Sequence, residues 1–276
     1  MAESEELIVL EPHASGRRYL RELWNYRELF LVLAQRDIQV RYKHAFFGVA
    51  WALVRPLTTT LVFAFAFGQI AQLPSQGVPY PLFVLAGALP WQLFSSSLTE
   101  GGNSVIANSH IVSKTYFPRL IVPASTLLVS LLDFAISLFV LLGTMLWYRV
   151  PFTPRMSLAP LFVGLTLLVS LGASLWISAL NVRYRDVRHV VPFLVQFGLF
   201  VSPVGYGSGV VPAWLQTVYR FNPLVAPIDG MRWCLFGIAP RSFQVSLTTS
   251  LVAGGALLVT GYLYFRKTET TFADVI

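Results

Sequence analysis

Charge is scarce in this sequence. Only 12% of its 276 residues are Asp, Glu, Lys or Arg against 55% hydrophobic, which leaves too little polar surface to cover a soluble core and points to lipid as the main solvent. Cysteine is nearly absent: Cys234 stands alone, so no intrachain disulfide can form. His13, His44, His110 and His189 lie on separate segments without ligand spacing, and no metal site is expected. No G-x-x-x-x-G-K-S/T run occurs, so the chain lacks its own phosphate cradle for ATP, and Gly205 to Gly209 (GYGSG) reads as a flexible turn. Paired carboxylates and Ser/His/Asp groupings are missing as well. Glu100 and Asp133, the acids within or at the ends of apolar runs, are joined by no motif, a thin basis for an intramembrane enzyme.

Long apolar runs are abundant. Against the ~20 residues needed to cross a bilayer core, six segments qualify for assignment: about 45–70, 80–99, 120–148, 158–180, 190–206 and 243–265. The fifth is short and bounded by Pro192 and Pro203. The expected fold is therefore an all-α integral membrane protein with six transmembrane helices. Between the fifth and sixth, residues 207–240 are too rich in Gly, Pro and polar groups for a simple span. Pro212 to Tyr219 and Ile228 to Phe236 read as two short helices separated by Asn222-Pro223, a re-entrant hairpin in the outer leaflet. Such backbone is tolerated at membrane depth where protein or a water-filled cavity covers it.

The N-terminal part has its own pattern. Residues 1–16 read as a loose tail, acidic and unlike a cleavable signal peptide. In residues 17–43, Leu20, Leu23, Trp24, Phe30 and Leu31 recur at helical spacing among Arg17, Arg18, Arg21, Glu22, Arg27 and Glu28, an amphipathic interfacial helix and its lead-in to the membrane. Packing against a soluble partner is the other reading of that helix. Arg36, Arg41 and Lys43 then precede Phe46, Phe47 and Trp51, cations at the headgroups followed by the first apolar run. The single transmembrane unit extends over 44–267 and a second tail over 268–276.

The net charge of +7 would suit nucleic acid in a soluble protein, but its distribution follows the positive-inside rule, and no nucleic-acid partner is expected. With both termini cytosolic, fourteen Lys and Arg fall on the cytosolic side (those from Arg17 to Lys43, then Lys114, Arg119, Arg183, Arg185, Arg188, Arg266 and Lys267) and five opposite (Arg149, Arg155, Arg220, Arg232 and Arg241). Arg55 stands inside the first run, before Pro56, either at an inner channel mouth or snorkelling to the boundary.

Three cytosolic pieces carry a recognisable order. Arg36-Asp37 through Arg41-Tyr42-Lys43 with Gly48, Trp51 and Pro56, then Asn108 to Arg119 ending SKTYFPR, then Val182-Arg183-Tyr184-Arg185-Asp186-Val187 with Val191-Pro192-Phe193 and Ser202-Pro203-Val204, followed by Asn222-Pro223-Leu224, resemble the membrane subunit of ABC-2 type polysaccharide exporters. The likeness extends from about Tyr26 to Lys267. It implies a homodimer in the bacterial cytoplasmic membrane, two copies of a separate ATP-binding subunit that bind Mg-ATP, no cofactor in this chain, and a lipid-linked polysaccharide such as O-antigen as substrate. Residues 108–119 would be the coupling segment and 207–240 the outer gate.

In that segment Pro118 can end a short helix, leaving Ile111, Val112, Tyr116 and Phe117 as an apolar key for a groove on the ATPase, with Lys114 and Arg119 as steering charges. A tight connection with aromatic anchors is the other reading. Arg185 and Asp186 form a second ATPase contact or a solvated pair worth ~0–1 kcal/mol. Aromatics make up 14% of the chain. Sugar rings rest on aromatic planes, so Trp91, Phe94, Tyr206, Trp214, Tyr219 and Trp233 are candidate channel rungs, with the interfacial aromatic belt as the alternative for each. A drug or small-lipid exporter would share the same spans. A membrane enzyme acting on a lipid-linked sugar would need convergent acids or bases.

Overall fold

The computed structural model describes residues 16–43, 48–184, 186–240 and 242–272, all helices and connections with no strand among them. Two helices, α1 (Gly16–Asn25) and α2 (Arg27–Lys43), precede α3 (Gly48–Phe63), which continues as a wider π-helical turn through Ile70. Then come α4 (Tyr80–Ala107), α5 (Ser109–Lys114), α6 (Ile121–Trp147), α7 (Ala159–Arg183), α8 (Val187–Val201), α9 (Ala213–Arg220), α10 (Val225–Phe236) and α11 (Phe243–Thr268). Proline opens α4 and α7 within their first turns, where its missing N–H costs nothing, and Gly237 closes α10 at φ +75°.

Among the described residues, five helical stretches are long and apolar enough to cross a membrane: Ala52–Ile70, Tyr80–Ala107, Ile121–Trp147, Pro154–Arg183 and Phe243–Thr271. At 15 residues α8 is shorter than a simple span, because Ser202-Pro203 ends it before the chain turns at 202–206. The second span exceeds its expected length, since α4 runs on to Ala107 without a break at Thr99. The lead-in helix is divided at Tyr26 between α1 and α2. Residues 44–47, where the sequence reading sets the start of the first span, and residues 1–15 and 273–276 of the two tails lie outside the described residues.

At the centre lies α4, packed along α3, α6, α7 and α10. Its most apolar stretch has a mean hydropathy of only 1.3 yet is 78% buried, while that of α6 reaches 2.3 and is 33% buried. Between α4 and α7 the surface is made of small residues, as expected where lipid gives helices no hydrophobic reason to associate. Thr166, Ser170, Ser174 and Ser178 recur every fourth residue on α7, all buried. Ser174 donates across to the Ser97 carbonyl at 2.9 Å, and the Asn181 amide to the Gly102 carbonyl at 2.8 Å.

The α7–α11 crossing is tighter still. A Cβ on Gly261 would lie 2.5 Å from the Gly172 carbonyl oxygen, and one on Gly172 would lie 2.6 Å from the Leu258 nitrogen. Gly261→Val is expected to lower the thermal midpoint in detergent by the equivalent of about 1–3 kcal/mol of overpacking. Gly143→Ala, where a Cβ meets nothing within 4 Å, serves as the unaffected control in the same melting assay.

Candidate functional site

The end of the bundle that carries α5 is built on one apolar cluster. Leu33 of α2, Val105 of α4, Val112 of α5, Phe117, Ile121 and Val122 at the start of α6, Leu175 of α7 and Phe265 of α11 meet in it. The Asn108 carbonyl accepts from the Ile111 and Val112 amides, each at 3.0 Å, and so starts α5. Thr115 then turns extended. The expected apolar key is divided by this geometry. Val112 and Phe117, 1% and 4% exposed, are taken into the protein's own core, Pro118 is buried with them, and Ile111 packs half-buried on the same cluster. Lys114 and Tyr116 point outward, Tyr116 being 54% exposed.

Arg119 turns inward and donates to the Glu269 main-chain carbonyl, with its guanidinium 6.0 Å from the Phe272 ring centre. The Glu269 carboxylate accepts from the Tyr19 hydroxyl at 3.0 Å and from Arg266, whose guanidinium covers the Tyr19 ring at 3.6 Å. Burial, then the adjacent Glu269 carboxylate, raises the Tyr19 hydroxyl above its ordinary value. One buried residue, Glu269, thus ties α1 and the end of α11 through its carboxylate and the 115–120 connection through its main-chain carbonyl. Asp186 is exposed at the start of α8, and Arg185 lies outside the described residues.

Beside this cluster α2 reaches into the bundle. Arg41 donates to Asp133 of α6 at 2.8 Å and also pairs with Glu100 of α4; the Tyr42 hydroxyl bonds Asp133 as well. Arg36 holds Asp37 and the Asn108 side chain, both at 2.6 Å. Burial works against the Arg41 charge, but Glu100 and Asp133 more than offset it, so its pKa lies above the ordinary value. A cavity of about 590 Å³ opens here, lined among others by Arg36, Arg41, Glu100, Asn103, Asn108 and Thr126. Arg55 is exposed on α3. Sequence reasoning left Glu100 and Asp133 unconnected. The available signal was that each acid stands in an apolar helix, where a charge must find a partner.

At the opposite end α10 is buried along almost its whole length. Arg232, 1% exposed, donates to the carbonyls of Phe83 at 3.2 Å, Tyr206 at 3.1 Å and Val204 at 2.7 Å, and lies 3.7 Å over the Phe83 ring. Asp229, one turn earlier, is 3.7 Å away. Counted in sequence among the cations outside the spans, Arg232 is instead an interior strut. Between α9 and α10 the Asn222 side chain accepts from the Leu224 amide and donates to Ser202, each at 3.0 Å.

The candidate rungs do not form one set. Tyr206 and Tyr219 line a second cavity of about 490 Å³ with Leu73, Val211, Leu215 and Asn222. Trp91 is 6% exposed, packed on Gly198 of α8 and 5.6 Å from the half-buried Phe94 ring. Trp233 packs on Phe162 and Phe243 at 6.4 and 5.8 Å, while Trp214 is 78% exposed.

A model of the ABC-2 type transporter family matches residues 28–236, most of the chain. The protein belongs to this family. It is a multi-pass membrane protein, and the matched region of this ABC-2 type chain takes in the α2 lead-in, the α5 segment and α10 alike. Among its relatives is the O-antigen export system permease protein RfbA of Klebsiella pneumoniae, 28% identical over 254 residues that cover 90% of this chain and 95% of the relative. RfbA of Myxococcus xanthus is 32% identical over 76% of this chain and 80% of its own length. The polysialic acid transport protein KpsM of Escherichia coli is 23% identical, with 70% and 76% covered.

Proposed function

We propose that this ABC-2 type chain is the channel-forming permease subunit of an ATP-driven exporter that moves lipid-linked polysaccharide, with O-antigen as its substrate, across the bacterial cytoplasmic membrane. The observation that carries this reading is the likeness to an O-antigen export permease over 95% of that relative's length, too continuous to reflect shared spans alone. Two copies would enclose the path, and two separate ATP-binding subunits would supply Mg-ATP hydrolysis, which the missing phosphate loop assigns elsewhere.

In this arrangement both termini are cytosolic and α8 completes six spans, entering from Asp186 and turning at Ser202-Pro203. The helices α9 and α10 form a re-entrant hairpin that gates the outer leaflet. Burial of α10 supports this, since backbone of that kind needs protein cover. Closure of the ATP-binding subunits pushes on Lys114, Tyr116 and the exposed face around Asp186, α1 and α2 follow, and the spans tilt to open a path between protomers. Tyr206 and Tyr219 at the outer cavity, with Trp91, Phe94, Trp214, Trp233 and Arg55, are the set to be tested as channel or gate residues.

Deletion of this subunit in its native host is expected to abolish surface glycan while lipid-linked glycan accumulates on the inner leaflet. Purification from native membranes then identifies the partners, with mass spectrometry for proteins and sugar analysis for bound lipid. A stoichiometric ATPase with a lipid-linked glycan fits the proposal; an ATPase without sugar turns it to a drug or small-lipid exporter; no ATPase contradicts it.

A further inference from the structure

Helix α2 is held in two different ways along its length. Leu33, 4% exposed, seats its first half in the apolar cluster that also takes Val112 and Phe117 of the α5 segment, with Leu29 and Phe30 packed against the same cluster. Polar side chains fasten its second half to the inner helices: Arg36 to Asn108 at the end of α4, Arg41 to Glu100 of α4 and Asp133 of α6, Tyr42 to Asp133. Beside these groups stands the 590 Å³ cavity, where interdigitated apolar side chains would otherwise lock the helix in place.

We propose that Arg41 is a positioning residue that transmits motion from the α5 segment to the two inner helices α4 and α6, an inference that rests on the exporter reading above. Any displacement of α5 moves Val112 and Phe117, and through their common packing moves Leu33. From Leu33 to Arg41 the helix spans eight residues, about 12 Å at ~1.5 Å per residue, so α2 acts as a rigid lever. Arg41 is its load point. A planar guanidinium offers donors in two directions, which lets one side chain grip carboxylates on two helices at once. With room on its cavity side, the grip can shift without unpacking a core, and the pairs can exchange while every charge keeps a partner.

The test uses the full complex, this chain with its ATP-binding subunit, in vesicles containing the lipid-linked glycan. Arg41→Gln is expected to leave ATP hydrolysis near the wild-type rate and to lower glycan moved per ATP at least ten-fold, with Arg41→Lys intermediate. A purely charge-balancing role makes the opposite forecast for the neutral triple variant, Arg41→Gln with Glu100→Gln and Asp133→Asn. It leaves no buried charge unpaired, so balance alone would restore transport, whereas a lost lever stays uncoupled. Wild-type coupling in the triple variant or in Arg41→Gln overturns the proposal. Should Arg41→Gln alone fail to assemble, the triple variant and Arg41→Lys decide between the two. A wild-type complex that hydrolyses ATP and moves no glycan would instead refute the exporter reading.

Discussion

Arg232→Ala is expected to destabilise the protein by about 3–5 kcal/mol, the range for removing one partner of a buried charged pair. Its side chain is the only link seen between α10, the start of α4 and the 202–206 turn that reaches three main-chain carbonyls at once among the described residues. Truncation leaves those carbonyls without their donor, at ~1–3 kcal/mol for each that stays buried, and leaves Asp229 as an uncompensated acid. Lysine is not expected to rescue: a single ammonium cannot span three acceptors or lie flat on Phe83. Thermal melting of the purified variant, with limited proteolysis around residues 207–212, checks both statements. An alanine variant within ~0.5 kcal/mol of wild type, the range of an ordinary surface change, would remove the strut from the account.

The second large effect separates two neighbours. Phe117→Ala opens a cavity in the cluster that joins α2, α5, α6, α7 and α11, at an expected ~3–5 kcal/mol, so folded yield and ATPase binding fall together. Tyr116→Ala removes an exposed ring and should leave the melting curve within ~0.5 kcal/mol of wild type. Its effect belongs to the partner: affinity for the ATP-binding subunit drops roughly ten-fold or more if the ring is an anchor of the contact. Melting and binding measured on the same two preparations distinguish these outcomes. Equal loss of stability in both variants would contradict the division of the segment into an inward and an outward part.

That division marks where sequence reading stops. Apolar length located the long helices, and Asn222-Pro223 located the break between α9 and α10, because both depend on local chemistry. The 115–119 stretch was legible as apolar and cationic, yet which of Tyr116 and Phe117 faces inward depends on α2, α7 and α11, and on Glu269 drawing Arg119 to the C-terminal end. Glu100 and Asp133 are 33 positions apart, and Arg41 is further from both in sequence than any helical spacing relates. Only three-dimensional packing brings them together. The surroundings of Trp91 are likewise invisible in sequence: Gly198 across from it leaves a niche that the indole fills. The helix at Ile228 to Phe236 was legible, but the inward turn of Arg232 was not, since it depends on carbonyls of α4 and the 202–206 turn far away in sequence.

The central position of α4 also bears on how the protein is made. Its serines and glycines suit contact with α7 and α6, not with acyl chains, yet α4 leaves the ribosome before either neighbour exists. The more apolar α6 and α7 insert readily on their own and then cover it. Until they do, a helix of low hydropathy that the finished bundle buries has to be sheltered, so the interval between synthesis of residue 107 and residue 183 is when the nascent chain depends most on the insertion machinery.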